Sequence, residues 1–284
     1  MTTELKVFCP IGTAFGDLVG LGDILDKERV ETSLTPEVAA ALEEICQHPR
    51  WDIDFLHEDD ALTKAIYRRD GSGRIILPLT PEAASKGVTP RHTRIGDQKS
   101  QWHLEFLLPH TAISIDGMYG RCAYEDKRVA VVIAYLHDVA KKYTACTNES
   151  REISFYGHAQ LSAYIAKRWL EQIDFFDDLT KNTIVAVIYG HDMIKYGGGR
   201  DKYYDELAKF GTRTNNLISL YAEWLSAADV AVDKIDETKG IYHIYWTEFD
   251  PVNHEKVPGK DEITVDHFDE AVERGKGYLK AVFD

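Results

Sequence analysis

The hydrophobic pattern of residues 104–235 predicts one helix after another. In two segments the apolar residues recur at the spacing that lines one face of a helix: Val129, Val132, Ile133 and Leu136 in the first, and Ile184, Val187 and Ile188 in the second. This periodicity, continued by further apolar stripes, indicates a helical core made of several segments.

The flanking segments predict shorter elements. Thr35-Pro36-Glu37 begins a helix, because threonine caps a helix N-terminus and proline suits its first turn. The Asp70–Gly73 turn separates two short strand-like runs, 65–69 and 74–79, which predicts a β-hairpin. Near the C-terminus, residues 240–249 read as a strand that pairs with residues 263–265. A last helix follows, with its apolar stripe at Phe268, Val272 and Leu279.

We therefore expect a mainly α protein, a helical bundle with small β additions at its N- and C-terminal sides. Three parts are predicted: a mixed α/β region of unknown role over residues 1–103, the helical core over 104–235, and a strand and helix extension over 236–284 that packs on the core.

Composition and charge narrow the classes of function. The chain has 284 residues and a formal net charge of −14, and no basic stripe of any length is present, so long DNA or RNA is disfavoured as a ligand. No apolar run reaches the ~18 residues of a membrane span. Four dispersed cysteines and a start without the pattern of a signal peptide make the cytoplasm the expected compartment.

Four histidines fall on apolar helix faces, where a polar group is costly unless it is paired: His110, His137, His158 and His191. Two aspartates accompany them, since Asp138 follows His137 and Asp229 extends the stripe of Ile218, Tyr221 and Leu225. One such histidine is more often a satisfied core residue than a ligand. Together, however, imidazoles and carboxylates from several helices suit a transition metal such as Fe, Mn, Ni, Co or Zn.

The order of these residues resembles the HD-domain superfamily of metal-dependent phosphohydrolases, over about residues 104–235. The local sequence motifs are most similar to those of the HD domain of bacterial tRNA nucleotidyltransferases. They are His110-Thr111 with Asp116, Ala134–Lys141 with His137-Asp138, Phe155-Tyr156-Gly157-His158, Tyr189-Gly190-His191-Asp192 and Ala227-Ala228-Asp229. Ala140 stands where that family usually has glycine before Lys141.

The resemblance implies one divalent ion held by His110, His137, Asp138 and Asp229. It implies that His158 and His191 bind a second ion or hydrogen-bond the substrate phosphate. Asp138 and Lys141 would be catalytic, the lysine by supporting the phosphate or a developing oxyanion. One or two ions of Mn, Fe, Co, Ni or Zn are expected, with Mg as a further option.

A second, more local hypothesis concerns the triglycine at 197–199. The cations around it, Lys195, Arg200 and Lys202, are candidates for neutralising a substrate phosphate, on charge and position alone. A solvated surface loop is the open alternative.

Departures from the family narrow the expected reaction. Residues 1–100 lack a nucleotidyltransferase head, and the additional motifs of dGTPase-type enzymes, alarmone hydrolases and cyclic-di-GMP phosphodiesterases are missing. We expect a stand-alone hydrolase that uses a metal-activated water on a phosphomonoester, a cyclic phosphodiester or a small nucleotide. Its partner would be a small phosphorylated substrate, and a homodimer is left open.

Two other functions fit the same residues. Some HD-fold proteins hold mixed-valent di-iron and oxidise a C–H bond of a small polar substrate with O₂, and the ligand spacings here suit either chemistry. A non-catalytic regulatory module that binds metal or nucleotide is the third reading, which the complete ligand set weakens.

Overall fold

The computed structural model describes residues 10–18, 20–99, 103–123, 126–196, 212–249 and 256–284. Its α-helices over these residues are α1 (Pro10–Gly16), α2 (Leu21–Leu25), α3 (Lys27–Thr32), α4 (Pro36–Gln47), α5 (Ala61–Ile66), α6 (Pro81–Ser85), α7 (Leu107–Arg121), α8 (Lys127–Leu136), α9 (Lys141–Thr144), α10 (His158–Leu170), α11 (Asp178–Tyr196), α12 (Thr212–Ala228) and α13 (Val265–Phe283), with a 3₁₀ helix over Ile53–His57. The strands are β1 (Arg68–Arg69), β2 (Ile75–Ile76), β3 (His92–Thr93), β4 (Cys146–Thr147), β5 (Ile153–Ser154), β6 (Ala231–Asp236), β7 (Ile241–Phe249) and β8 (Lys256–Thr264).

Helix α8 occupies the centre of the fold, which is mainly α with small antiparallel sheets, as the sequence predicts. All residues from Val129 to Leu136 are buried, because α7, α10, α11, α12 and α13 all pack against this helix. A helix enclosed on every side carries apolar residues all round rather than a single stripe. Within the described part of the chain, no helix is both long and apolar enough to cross a membrane.

The strands of the N-terminal sheet are shorter than those of the predicted hairpin. Helix α4 begins at Pro36 as expected, and the Thr35 hydroxyl caps it by accepting from the amide of Val38. Strands β1, β2 and β3 form an antiparallel sheet of only two residues each. The predicted first strand over 65–69 was wrong at its start, because residues 65 and 66 complete helix α5, which Asp60 caps.

A buried ion pair ties the N-terminal region to the helical core. The ammonium of Lys142 lies 2.7 Å from Asp60 and donates to the carbonyl of Phe55, while the Tyr143 hydroxyl also donates to Asp60. The apolar core runs continuously through all three predicted parts. The boundaries between those parts stay a prediction.

The C-terminal extension adds a sheet and a long helix. Strands β6, β7 and β8 are antiparallel, and Tyr242 of β7 faces Ile263 of β8, which is the expected pairing. Helix α13 packs on α7 at very short range: a Cβ on Gly275 would lie 1.9 Å from the carbonyl oxygen of Ala112, so only glycine fits. Arg274 pairs with both carboxylate oxygens of Asp116. Asp116 therefore joins α7 to α13.

Candidate metal centre

Six predicted ligands come together in the core from five segments of the chain. His110 lies in the first turn of α7, and His137 and Asp138 form the turn that follows α8. The other three are His158 at the start of α10, His191 in α11 and Asp229 directly after α12. None is more than 8% exposed. The inward orientation inferred from the apolar stripes is what the structure shows.

The carboxylate of Asp138 stands between two groups of ligand atoms. Its Oδ2 atom lies 3.2 Å from Nε2 of His110 and 3.2 Å from Nε2 of His137. Its Oδ1 atom lies 3.3 Å from Nε2 of His158 and 3.5 Å from Nε2 of His191. Asp229 completes the first group, with Oδ1 3.2 Å from Nε2 of His110.

All four histidines are held by the ring nitrogen that faces away from the centre. Each Nδ1 lies within hydrogen-bond distance of a backbone carbonyl: Val230 for His110 at 3.1 Å, Ala134 for His137 at 2.8 Å, Phe155 for His158 at 2.7 Å and Ile188 for His191 at 2.6 Å. A carbonyl only accepts, so Nδ1 carries the proton and donates it. In the neutral ring Nε2 then keeps a lone pair directed at the centre, as metal ligation requires.

The buried polar atoms of the centre fit a metal. Within the described residues, Nε2 of His110, Nε2 of His137 and Oδ1 of Asp138 have no hydrogen bond of acceptable geometry. Such atoms cost free energy in a dry core unless another group satisfies them. In each group the ligand atoms lie within 4.8 Å of one another, close enough to share one ion. Imidazole and carboxylate are the donors that Mn, Fe, Co, Ni and Zn accept.

Local backbone geometry sets the positions of two ligand segments. Gly157 has φ +78°, in the left-handed region, and a Cβ there would lie 2.4 Å from the carbonyl oxygen of Gly12. Glycine is therefore required directly before His158. In the other segment, the amide of Ala140 donates to the hydroxyl of Ser162, which anchors the turn after Asp138 to helix α10.

Lys141 brings a cation to the centre, as the sequence predicts. Its Nζ lies 2.5 Å from Oδ2 of Asp138, and the ammonium lies over the ring of Phe155. Burial alone would raise the pKa of Asp138, but the adjacent imidazole of His137 and the ammonium of Lys141 outweigh it and hold that pKa well below its ordinary value. The carboxylate is therefore ionised and ready to act as a ligand.

Two further residues support the centre, and the sequence reasoning missed both. Oε1 of Glu105 lies 2.8 Å from Nδ1 of His103 and 3.2 Å from Nδ1 of His110, while Oε2 accepts from the amide of Val232. Burial would raise the pKa of Glu105, but its hydrogen bonds to the two histidines lower it. An ionised carboxylate behind His110 makes that ring a stronger ligand. Both residues lie in an irregular segment, where the sequence carries no periodic signal for them.

Asp192 is a third residue beside the centre. Its carboxylate lies 3.3 Å from Nε2 of His158 and 3.7 Å from Nε2 of His191, on the more exposed side of the second group. It directly follows a predicted ligand, and its position shows that the second group has carboxylates on two sides.

The hypothesis about the triglycine segment lies outside the described residues. Arg200 and Lys202 fall in the range 197–211, and the side chain of Lys195 is likewise outside the description. Their role in phosphate binding stays a prediction.

Residues 110–239 match the family model of the HD domain, and this range contains all six candidate ligands. The match supports membership of the HD-domain superfamily. No curated protein and no solved structure matches the chain significantly. The finer resemblance to tRNA nucleotidyltransferases therefore has no support from a homologue.

Proposed function

From the HD-domain match over residues 110–239, we propose that the protein is a metal-dependent phosphohydrolase that cleaves a phosphate ester of a small molecule. The proposed substrates are a phosphomonoester, a cyclic phosphodiester or a small nucleotide. The observation that carries the proposal is the carboxylate of Asp138, which presents one oxygen to each of two groups of histidines.

The donor set supports a proposed role for each residue in holding metal. His110, His137, Asp138 and Asp229 would hold one divalent ion, and His158 and His191 would hold a second ion together with Oδ1 of Asp138. Bound there, a divalent ion would neutralise phosphate charge and lower the pKa of a coordinated water from ~15.7 toward ~7.

The chain's own contribution to substrate binding is centred on Lys141. Its ammonium is nearly buried and pairs with the carboxylate of Asp138, so it is available to an anionic group once a bound divalent ion offsets that carboxylate. A phosphoryl group suits this environment better than an uncharged polyol does. This is the reason for preferring hydrolysis of a phosphate ester to oxidation of a C–H bond.

Product-resolved turnover tests the proposal. The full chain is assayed with mononucleotides, 2′,3′-cyclic and 3′,5′-cyclic nucleotides and dNTPs, each with Mn²⁺, Co²⁺, Ni²⁺ or Fe²⁺. Asp138→Asn is compared with Asp116→Asn, a matched control in which the aspartate pairs with Arg274 away from the centre.

We expect metal-dependent release of phosphate, or opening of a cyclic phosphate, by the wild type and by Asp116→Asn, and its loss in Asp138→Asn. Equal turnover by Asp138→Asn would overturn the proposed role of the centre. If the wild type binds metal but turns over no substrate of the panel, that result would count against phosphohydrolase activity. An anaerobic repeat separates hydrolysis, which does not need O₂, from oxygenase chemistry.

A further inference from the structure

A locally basic segment stands out in this acidic protein. Residues 64–99 contain eight Lys and Arg but three Asp and Glu, whereas the whole chain carries a net charge of −14. Three of these arginines, Arg69, Arg74 and Arg94, line one cavity of about 890 Å³. We call it the arginine cavity. None of its lining residues is acidic and none is a candidate metal ligand: they are His57, Arg69, Ser72, Gly73, Arg74, Thr93, Arg94, Ile95 and Phe106.

The topology of the N-terminal sheet brings the three arginines together. Ile75 of β2 pairs with Arg69 of β1 on one side and with Thr93 of β3 on the other. Strand β1 ends at Arg69, β2 begins just after Arg74, and β3 ends just before Arg94. The three arginines therefore lie at the same end of three neighbouring strands.

The turn that carries Arg74 is held in place by one carboxylate. Oδ1 of Asp70 accepts from the amide and the hydroxyl of Ser72 and from the amide of Arg74. Oδ2 of Asp70 lies 2.7 Å from Nδ1 of His92. This nearby negative charge is thus committed to the turn, which keeps the shape of the cavity without occupying it.

The arginines are not neutralised equally. Arg69 pairs with Asp59 at 2.6 Å and donates to the carbonyl of Gly73. Over the described residues, neither Arg74 nor Arg94 forms an ion pair. Two guanidinium groups without carboxylate partners at one cavity suit a dianion, because their planar donors match phosphate oxygens in pairs.

The lining of the cavity is also partly aromatic and apolar. The rings of His57 and Phe106 meet edge to face with centroids 5.9 Å apart, and Ile95 lies beside them. Gly96 permits this arrangement, since a Cβ there would lie 2.7 Å from the ring of His57. A planar group attached to a phosphate can pack on such a surface.

We propose that the arginine cavity is a second binding site, separate from the metal centre, for a small phosphorylated molecule. Arg74 and Arg94 contact its phosphate, and His57, Ile95 and Phe106 contact a planar group such as a nucleobase. Backbone hydrogen bonds connect the site to the helix that carries His110, because the amide of Leu107 donates to Gly96 and the amide of His110 to Phe106. A ligand here touches the start of the helix that carries His110.

Titration calorimetry on the full chain tests this site with two probes, inorganic phosphate and a 5′-mononucleotide. Four proteins are compared: the wild type, the double variant Arg74→Gln/Arg94→Gln, the control Arg29→Gln, and Asp138→Asn. Arg29 is an exposed arginine that pairs with Asp23 elsewhere on the surface. Circular dichroism and the melting temperature show that each variant is folded.

We expect the double variant to bind phosphate more than about tenfold more weakly than the wild type, because it lacks both charge-assisted contacts to the phosphate. Arg29→Gln should match the wild type, and Asp138→Asn should keep the cavity's binding. The mononucleotide should bind more tightly than phosphate alone. Binding lost in Asp138→Asn but retained in the double variant would place phosphate at the metal centre and overturn the proposal. The proposal would also be overturned if the wild type bound neither probe at millimolar concentration. Both results are independent of the turnover assay that tests the proposed function.

Discussion

Nε2 of His158 lies 3.3 Å from Oδ1 of Asp138, while the other oxygen of the same carboxylate faces His110 and His137. Asp138 thereby belongs to both groups of ligand atoms. The relationship depends on two helices whose ends are fixed locally, α8 by the turn after Leu136 and α10 by the left-handed Gly157. One carboxylate therefore connects the two parts of the centre.

Glu105→Gln is expected to weaken metal binding by about 10- to 100-fold, the usual cost of losing a carboxylate behind a ligand histidine. Glutamine has one accepting oxygen, and its NH₂ group cannot accept a hydrogen bond. The variant therefore loses either the hydrogen bond from Nδ1 of His110 or the one from the amide of Val232. Metal affinity is measured by competition with a chelating dye. The exposed Glu237→Gln is the control and should bind metal as the wild type does. Unchanged affinity in Glu105→Gln would contradict the supporting role.

Asp60→Asn is expected to destabilise the fold by about 3–5 kcal/mol, because it leaves the buried ammonium of Lys142 without its counter-charge. Asparagine can still cap helix α5, so the loss reports the ion pair. Urea unfolding measures the free energy of unfolding. Asp59→Asn is the matched control at the neighbouring, more exposed position, where the pair with Arg69 should contribute ~1 kcal/mol or less. Equal losses in the two variants would refute the buried pair as a major contribution.

Gly157→Ala is expected to lower both stability and metal affinity. The left-handed conformation costs a non-glycine residue about 1–2 kcal/mol, and the new Cβ meets the carbonyl of Gly12. Relief of that clash would displace His158, the next residue. Gly22→Ala is the control, because Gly22 lies in α2 with open space around it. Melting temperature and chelator competition are the measurements, and a Gly157→Ala protein equal to the wild type in both would contradict this reading.

Cys46 is expected to resist alkylation in the native protein. Burial raises the pKa of its thiol to about 12, so the thiol stays protonated and unreactive at pH 8. Iodoacetamide labelling at pH 8, followed by peptide mass analysis, should show modification of Cys46 only after unfolding in urea. Labelling at the same rate with and without urea would show that the thiol is accessible.

The inward positions of the candidate ligands on helices were predictable because periodicity determines which face of a helix points inward. His191 continues the stripe of Ile184, Val187 and Ile188, and its burial follows directly. Asp229 was also placed correctly, although helix α12 ends one residue before it. A polar group on an otherwise apolar face is a strong signal in a sequence, since burial without a partner is costly.

The supporting contacts could not be predicted in the same way. His103 and Glu105 lie in an irregular segment, where no periodicity assigns a side chain to the core. The partners Asp60 and Lys142 are 82 residues apart, and only the packing of the N-terminal region on α9 brings them together. The hairpin of the arginine cavity was predicted, but β3, which brings Arg94 beside it, is a two-residue strand too short to be recognised from alternation.

The metal content of the purified full chain tests the central claim most directly. Elemental analysis of the wild type and of Asp138→Asn, each after incubation with Mn²⁺ or Fe²⁺ and removal of free metal, gives the number of ions per chain. We expect one or two ions in the wild type and loss of bound metal in Asp138→Asn, because that carboxylate serves both groups of ligand atoms. A wild type that retains no ion, or a variant that retains as many as the wild type, would contradict a metal centre built around Asp138.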